Sequence, residues 1–315
     1  MMRSTKFLRR ELSTIVSSRT TNAIELELQK SAHNYHPIPV VINRGLGVNL
    51  WDIEGKKYLD FLAAYSAVNQ GHCHPRIVSV LKSQAETLTL TSRAFHNDLM
   101  GPYAEYITDL FKYDKVLPMN TGVEAGETAI KLARKWAYMV KGVPDNQAKV
   151  VFAKDNFWGR TLAAVSSSTD PASFKGFGPY MPGFEIVPYD DLVALEKSIS
   201  DPNTAAFFVE AIQGEAGVVV PSDVSVTQIV VSIIKAMLGT FTRTCSPTSQ
   251  NLTGTNSVMI FTWQGYLPGI RALCDKYNVL LIVDEVQTGL CRTGKMLASD
   301  HGPIRPGTST LHQKK

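Results

Sequence analysis

The chain reads as an α/β protein with a mainly parallel central sheet and helices on both faces. Two observations carry this. From about residue 115 onward, short apolar runs alternate with amphipathic stretches at helical spacing, the pattern of strands buried on both faces. Glycine-rich and polar motifs then stand at the carboxyl ends of those runs, where parallel sheets hold their ligands.

The 315 residues are 44% hydrophobic and 19% charged, which suffices for a sizeable core. The net charge of +4 is concentrated at the start. Residues 1–20 hold Arg3, Lys6, Arg9, Arg10 and Arg19 against Glu11 alone, and the remainder sums to zero. The basic balance therefore argues for no nucleic-acid surface. Arg3, Lys6, Arg9 and Arg10 lie on one side of a helix, with Phe7, Leu8 and Leu12 available to the other. With abundant Ser and Thr and few acids, residues 1–24 read as a mitochondrial presequence, a disordered basic tail being the plainer alternative. A secretory signal lacks its apolar core here, and no run reaches the roughly 18 apolar residues of a membrane span. Cys73, Cys245, Cys274 and Cys291 show no CxxC pair, so reduced thiols are expected.

After the presequence, GVNLWDIEGKKYLDF alternates apolar and polar residues around Glu54-Gly55-Lys56 and predicts a hairpin. Pro75 opens a helix bearing Ile77, Val80, Leu81 and Leu88, and a second helix runs from about Asp98 to Phe111. KVLPM predicts a strand before a helix over 124–140. KVVFA predicts a strand before a short helix after Gly159. FEIVP, DDLVALEKSI and AAFFVE predict strand, helix and strand, and LPGIRALCDKY with NVLLIVDEV predicts a helix and a strand. Val224–Gln264 breaks the rhythm: 41 residues without one Asp or Glu and without a convincing strand–helix unit.

Three motifs carry chemistry. Asn120-Thr121-Gly122-Val123-Glu124 joins a predicted strand to a helix, whose first free N–H groups and dipole suit a phosphate; turn geometry alone is the competing explanation. Asn156-Phe157-Trp158-Gly159-Arg160 offers aromatic faces for a planar cofactor and a guanidinium for a carboxylate, or else core packing beside a surface arginine. LLIVDEVQTG is an apolar strand ending in Asp284 and Glu285. A buried carboxylate there needs a cation, such as a protonated pyridine nitrogen. A Walker-B role would require a GxxxxGK[ST] loop, which is absent. Gly71-His72-Cys73-His74-Pro75 mimics a metal cluster but lacks a partner cluster, so no metal is expected. The sequon at Asn251 lacks a secretory context.

In order along the chain, AHNYHPIPV, YSAVNQGHCHPRIV, LTLTSRAFHND, KVLPMNTGVEAGETAIKLARKW, NFWGRTLAAVSSSTDP, GFGPYMPGF, IQGEAGVVVP and VDEVQTGLCRTG resemble the ornithine aminotransferases. These are class III, fold-type I transaminases dependent on pyridoxal 5′-phosphate (PLP). The resemblance covers about residues 30–221 and 265–306. It implies that Gly122 and Val123 bind the PLP phosphate, Phe157 stacks on the ring, Asp284 pairs with the ring nitrogen and Gln287 approaches the phenolic oxygen. It further implies that Tyr35 and Arg160 hold the ornithine α-carboxylate and Tyr65 lines the substrate pocket. Glu215 would mask an arginine that binds 2-oxoglutarate. A homodimer or higher homo-oligomer in the mitochondrial matrix, touching neither nucleic acid nor membrane, is implied as well. Residues 25–75 would belong to the small domain and 76–315 to an incomplete PLP-binding large domain, with the C-terminal domain missing.

The sequence also departs from the family. Ile304-Arg305-Pro306 fits, but 307–315 does not, and the Schiff-base lysine position falls on Gln313, with no apolar strand leading to it. Lys314 is one residue away. Val224–Gln264 stands where the family passes almost directly to a helix, and its edges suit a retained in-frame intron, a surface insertion being the alternative. The expectation is little or no turnover from this chain. A non-catalytic variant that binds PLP weakly or pairs with full-length subunits, and another class III aminotransferase, are the competing readings.

Overall fold

The computed structural model describes residues 18–222, 265–302 and 304–310. Residues 1–17, the whole of 224–264 and positions 313 and 314 lie outside the described residues, so the presequence, insertion and lysine-position expectations fall largely there. The chain divides into two compact units, Met1–Tyr103 and Ala104–Lys315.

In the first unit, helix α1 (Ser18–Lys30) spans the expected presequence boundary at 24, and Thr20 donates its hydroxyl to Glu54 at 3.1 Å. Strands β1 (Ile42–Leu46), β2 (Asn49–Asp52) and β3 (Lys57–Leu59) form an antiparallel sheet in that order. The predicted hairpin is β2–β3. Its turn is held by Asp52, which accepts the N–H groups of Glu54 (3.0 Å) and Lys56 (2.9 Å) and the Tyr58 hydroxyl (2.7 Å). Gly55 supplies the left-handed turn residue, at φ 87°. Helix α2 (Pro75–Thr87) starts at the predicted proline. Helix α3 is Met100–Phe111.

The second unit is built on a five-stranded sheet in the order β5-β4-β6-β7-β8, every pair parallel. The strands are β4 (Lys149–Ala153), β5 (Phe184–Val187), β6 (Thr204–Glu210), β7 (Leu280–Asp284) and β8 (Thr308–Thr310). Alternation along them sorts the core into two layers. Val150, Phe152, Ala206, Phe208 and Ile282 meet helix α4 (Gly122–Trp136) and its π-helical continuation Ala137–Lys141. Val151, Phe207, Val209, Leu281 and Val283 meet α7 (Leu192–Ile199) and α8 (Tyr266–Lys276). Short helices α5 (Leu162–Ser166) and α6 (Pro171–Phe174) follow β4. All seven residues of β6 are buried, as a strand covered on both faces requires.

One expectation is corrected and another extended. KVLPM is not a strand: residues 115–119 are irregular and mostly exposed, since Pro118 lacks an N–H and no described strand lies beside them to share a ladder. The expectation of no apolar strand before position 313 needs one addition: a short polar strand is there. β8 does pair with β7 there, but its three residues are Thr308, Ser309 and Thr310, with no apolar content to announce it.

Gly126 on α4 lies against Trp158: an added Cβ would stand 2.8 Å from Cε3 of the indole. Gly126→Ala should therefore destabilise the chain by about 1–3 kcal/mol in urea denaturation. Gly101→Ala, in α3 with open space around it, should leave stability unchanged or raise it by up to about 1 kcal/mol.

Candidate functional site

The site forms at the carboxyl ends of β4, β6 and β7, from loops that glycines allow to approach. α4 begins with a capping box. Thr121 accepts the Glu124 N–H at 3.2 Å, while the Glu124 carboxylate accepts those of Asn120 (2.8 Å) and Thr121 (3.0 Å). Among the described residues this leaves the Gly122 and Val123 amides as first-turn donors for an anion. They are the pair named from the sequence.

The aromatic pair after β4 divides its duties. Trp158 is core: it stacks on Phe152 with centroids 5.9 Å apart and donates its indole N–H to Ser167 at 2.8 Å. Phe157 is half-buried and remains available as a ring face. Asn156 anchors the loop through the carbonyls of Ala153 (2.7 Å) and Ser167 (2.9 Å). At Gly159, φ is 144° and an added Cβ would stand 2.3 Å from Val123, so this glycine lets the aromatic loop close on the start of α4. Arg160 is exposed, its guanidinium 5.9 Å from the Phe157 ring centroid.

Asp284 ends β7, is 6% exposed and accepts the Val286 N–H at 2.9 Å. The Val286 side chain lies 3.1 Å from where a Gly122 Cβ would be, which ties the strand end to the anion cradle. Gln287 donates its amide to Glu215 at 2.9 Å, and Gly214 lies so close to Gln287 that a Cβ would meet its Oε1 at 2.2 Å. The structure thus brings together Gly122, Val123, Phe157, Arg160, Glu215, Asp284 and Gln287 on the second unit. Tyr35 and Tyr65 belong to the first unit and are exposed there. Tyr65 lies in a left-handed run, Ala63 to Ser66, with φ between 49° and 68°. Asp60 braces this run by accepting the N–H groups of Leu62 (3.0 Å) and Ala63 (2.8 Å), and His72 holds Asp60 at 2.6 Å. The left-handed region costs roughly 1–2 kcal/mol per non-glycine residue, and such strain concentrates at functional sites.

Two buried acids hold loops in ways the sequence reading did not assign. Glu285 accepts the Ala298 (2.9 Å) and Ser299 (2.8 Å) amides and the Thr288 hydroxyl, and so shapes the loop after β7. Glu210 ends β6 in register with Asp284. Burial first, and then the Asp284 charge beside it, push its carboxyl up to about 8. The signal was present: AAFFVE is an apolar strand ending in an acid, as LLIVDE is.

The donor set fits PLP. Two unengaged first-turn amides suit its phosphate, Phe157 its ring, and the Asp284 carboxylate its protonated nitrogen. Fold and site together define an α/β protein whose strand ends offer a pocket suited to PLP. Residues 30–235 and 254–314 match the model of aminotransferase class-III, and the chain belongs to that family. The unmatched gap, 236–253, lies inside the Val224–Gln264 stretch. Mitochondrial ornithine aminotransferase of Drosophila melanogaster is 54% identical over 296 residues, covering 94% of this chain and 59% of that protein. The Rattus norvegicus counterpart is 53% identical over 313 residues, covering 95% and 62%. The crystal structure of ornithine aminotransferase from Toxoplasma gondii ME49 superposes with a TM-score of 0.77 at 44% identity, covering 95% of this chain and 61% of that one. The chain therefore spans about three-fifths of the length of these relatives.

A carboxyl held up to about 8 when folded, against about 4.3 in the unfolded chain, binds its proton more tightly in the native state. Its contribution to stability is complete below the unfolded value and is lost as pH rises through the folded one. Without PLP, the thermal midpoint of the chain should fall between about pH 5 and pH 8, and Glu210→Gln should flatten that slope.

Proposed function

We propose that the chain is built for moving the δ-amino group of ornithine to 2-oxoglutarate, giving glutamate 5-semialdehyde and glutamate, with PLP as cofactor, and that with Gln313 at the lysine position it turns over little or not at all. The observation that carries this is the convergence of the Gly122 and Val123 amides and the Asp284 carboxylate on one end of one sheet. A helix N-terminus suits a phosphate, and a buried strand-end carboxylate suits a protonated pyridine nitrogen. High identity to ornithine aminotransferases of several organisms supports the choice of substrate.

When bound, PLP supplies an electron sink that stabilises negative charge on a substrate carbon. The chain's own residues prepare that chemistry. The Gly122 and Val123 amides hold the phosphate and so fix the position of the ring. Phe157 covers one ring face and excludes water from it. Asp284 holds a proton on the ring nitrogen, since a buried carboxylate is stable only beside a cation. The Gln287 amide donates toward the phenolic oxygen. Arg160 pairs with the substrate α-carboxylate, a planar fork meeting a planar anion. Tyr35 and Tyr65 take the substrate-contact roles carried by the sequence resemblance, and Glu215 takes the role of masking a 2-oxoglutarate-binding arginine. A homo-oligomer in the mitochondrial matrix is the accompanying expectation, and relatives named mitochondrial support the organelle alone. The lysine position reads as Gln313, so the chain is proposed to bind PLP without covalent attachment.

Titration of the full chain with PLP, followed by fluorescence, tests the pocket. Asp284→Ala should weaken binding about 10–100-fold, the worth of one charge-assisted hydrogen bond of about 1.5–3 kcal/mol. Equal affinity of wild type and variant would refute the anchor. Pyridoxal without its phosphate should also bind more weakly. Borohydride reduction followed by peptide mass spectrometry checks the attachment, and a reduced PLP on Lys314 or any other lysine would contradict the expectation. A panel of ornithine, N-acetylornithine and 4-aminobutyrate with 2-oxoglutarate, run on the sequence with its lysine motif restored and scored by glutamate formation, tests the substrate. Preference for either of the latter two would overturn the ornithine assignment.

A further inference from the structure

We propose that Glu210 is a positioning residue, a strut that sets both the cofactor's ring face and the loop carrying Glu215 from a single carboxyl group; the proposal rests on the PLP reading of the same site. Its two oxygens are used separately. Oε2 accepts the N–H of Phe157 at 3.1 Å, and Oε1 accepts the N–H of Gly214 at 3.2 Å. The first partner is the residue that covers the ring. The second precedes Glu215, whose carboxylate accepts the Gln287 amide at 2.9 Å. One buried side chain therefore joins two loops that lie far apart in sequence, and through the second loop it reaches the amide aimed at the cofactor.

The setting of Glu210 suits a strut. It is 7% exposed and closes β6, a strand with no exposed residue, so its backbone has little freedom. From the far side, the Tyr189 hydroxyl donates to the Ala211 carbonyl at 3.0 Å and holds the turn just beyond it. The groups facing Glu210 are the Asp284 carboxylate, its register partner, and more weakly that of Glu215. Neither offers a positive charge, so Glu210 is not here as half of an ion pair. Its bonds go to backbone amides, which aim loops rather than neutralise charge. Losing the carboxyl would leave two amides facing a void, and both loops would be free to shift.

Hydrogen exchange of the full chain, read by mass spectrometry with and without PLP, tests this. Glu210→Ala should raise exchange at least tenfold both around Phe157 and around Gly214, while the segment from β5 through α7 stays protected. It should also weaken PLP binding about tenfold. Glu210→Gln keeps one carbonyl acceptor and turns an amide donor toward the other loop, so one loop alone should loosen and PLP affinity should recover in part. If Glu210→Ala does not fold, Glu210→Gln decides the matter by the same one-loop pattern. Unchanged exchange at both loops in a chain that binds PLP, or a uniform rise across the whole sheet, overturns the strut and leaves the cofactor reading standing. A wild-type chain that binds no PLP removes the cofactor reading, and the positioning role with it.

Discussion

A carboxylate at the end of a strand that is otherwise wholly apolar must be paired or it is expensive to bury. Asp284 is such a group, and Glu210 repeats the problem on the neighbouring strand in the same register. Two acids side by side in a dry site cannot both carry charge cheaply. The fold resolves this by giving them different partners. Glu210 turns to backbone amides and holds its proton up to about pH 8. Asp284 accepts the Val286 N–H and, in the proposed reading, pairs with a protonated ring nitrogen.

The rest of the site follows from letting loops come close enough to share that space. Glycines do this at three points. Gly159 admits Val123, Gly214 admits Gln287, and Gly122 admits Val286. The first pair joins the loop after β4 to the start of α4, the second the loops after β6 and β7, and the third the start of α4 to the loop after β7, so the anion cradle, the ring face and the polar amides are packed against one another. At Gly159, where φ is 144°, a methyl group would push the aromatic loop off Val123. The capping box completes the arrangement by consuming the amides on either side of Gly122 and Val123 and leaving that pair for a phosphate.

Membership of the class-III aminotransferases and the likeness to ornithine aminotransferases rest on a chain that spans about three-fifths of its relatives' length. Within that length the five-stranded sheet is well built, with a core on each face. The first unit differs in character: among its described residues no apolar side chain is buried. Its order comes instead from hairpin hydrogen bonds around Asp52 and from the Asp60–His72 pair that steadies the left-handed run containing Tyr65.

The amino-acid sequence alone determined the strand–helix alternation, the hairpin at Gly55, the helix start at Pro75 and the candidate pocket residues. These depend on local periodicity, on turn chemistry and on acids at the ends of apolar runs, all written in consecutive residues. It misread KVLPM, because whether an apolar pentapeptide becomes a strand depends on a neighbour to pair with. It overlooked β8, because Thr-Ser-Thr is recruited by β7 and carries no apolar signal of its own. The local motif alone could not separate Phe157 from Trp158, which only the family resemblance did, since adjacent aromatics point in different directions only once the loop is anchored by Asn156. Only the tertiary structure decided what Glu210 holds. A hydrogen bond from Phe157 and another from Gly214 meet on one carboxyl because the sheet places β4 and β6 side by side, a relation no local window of sequence contains.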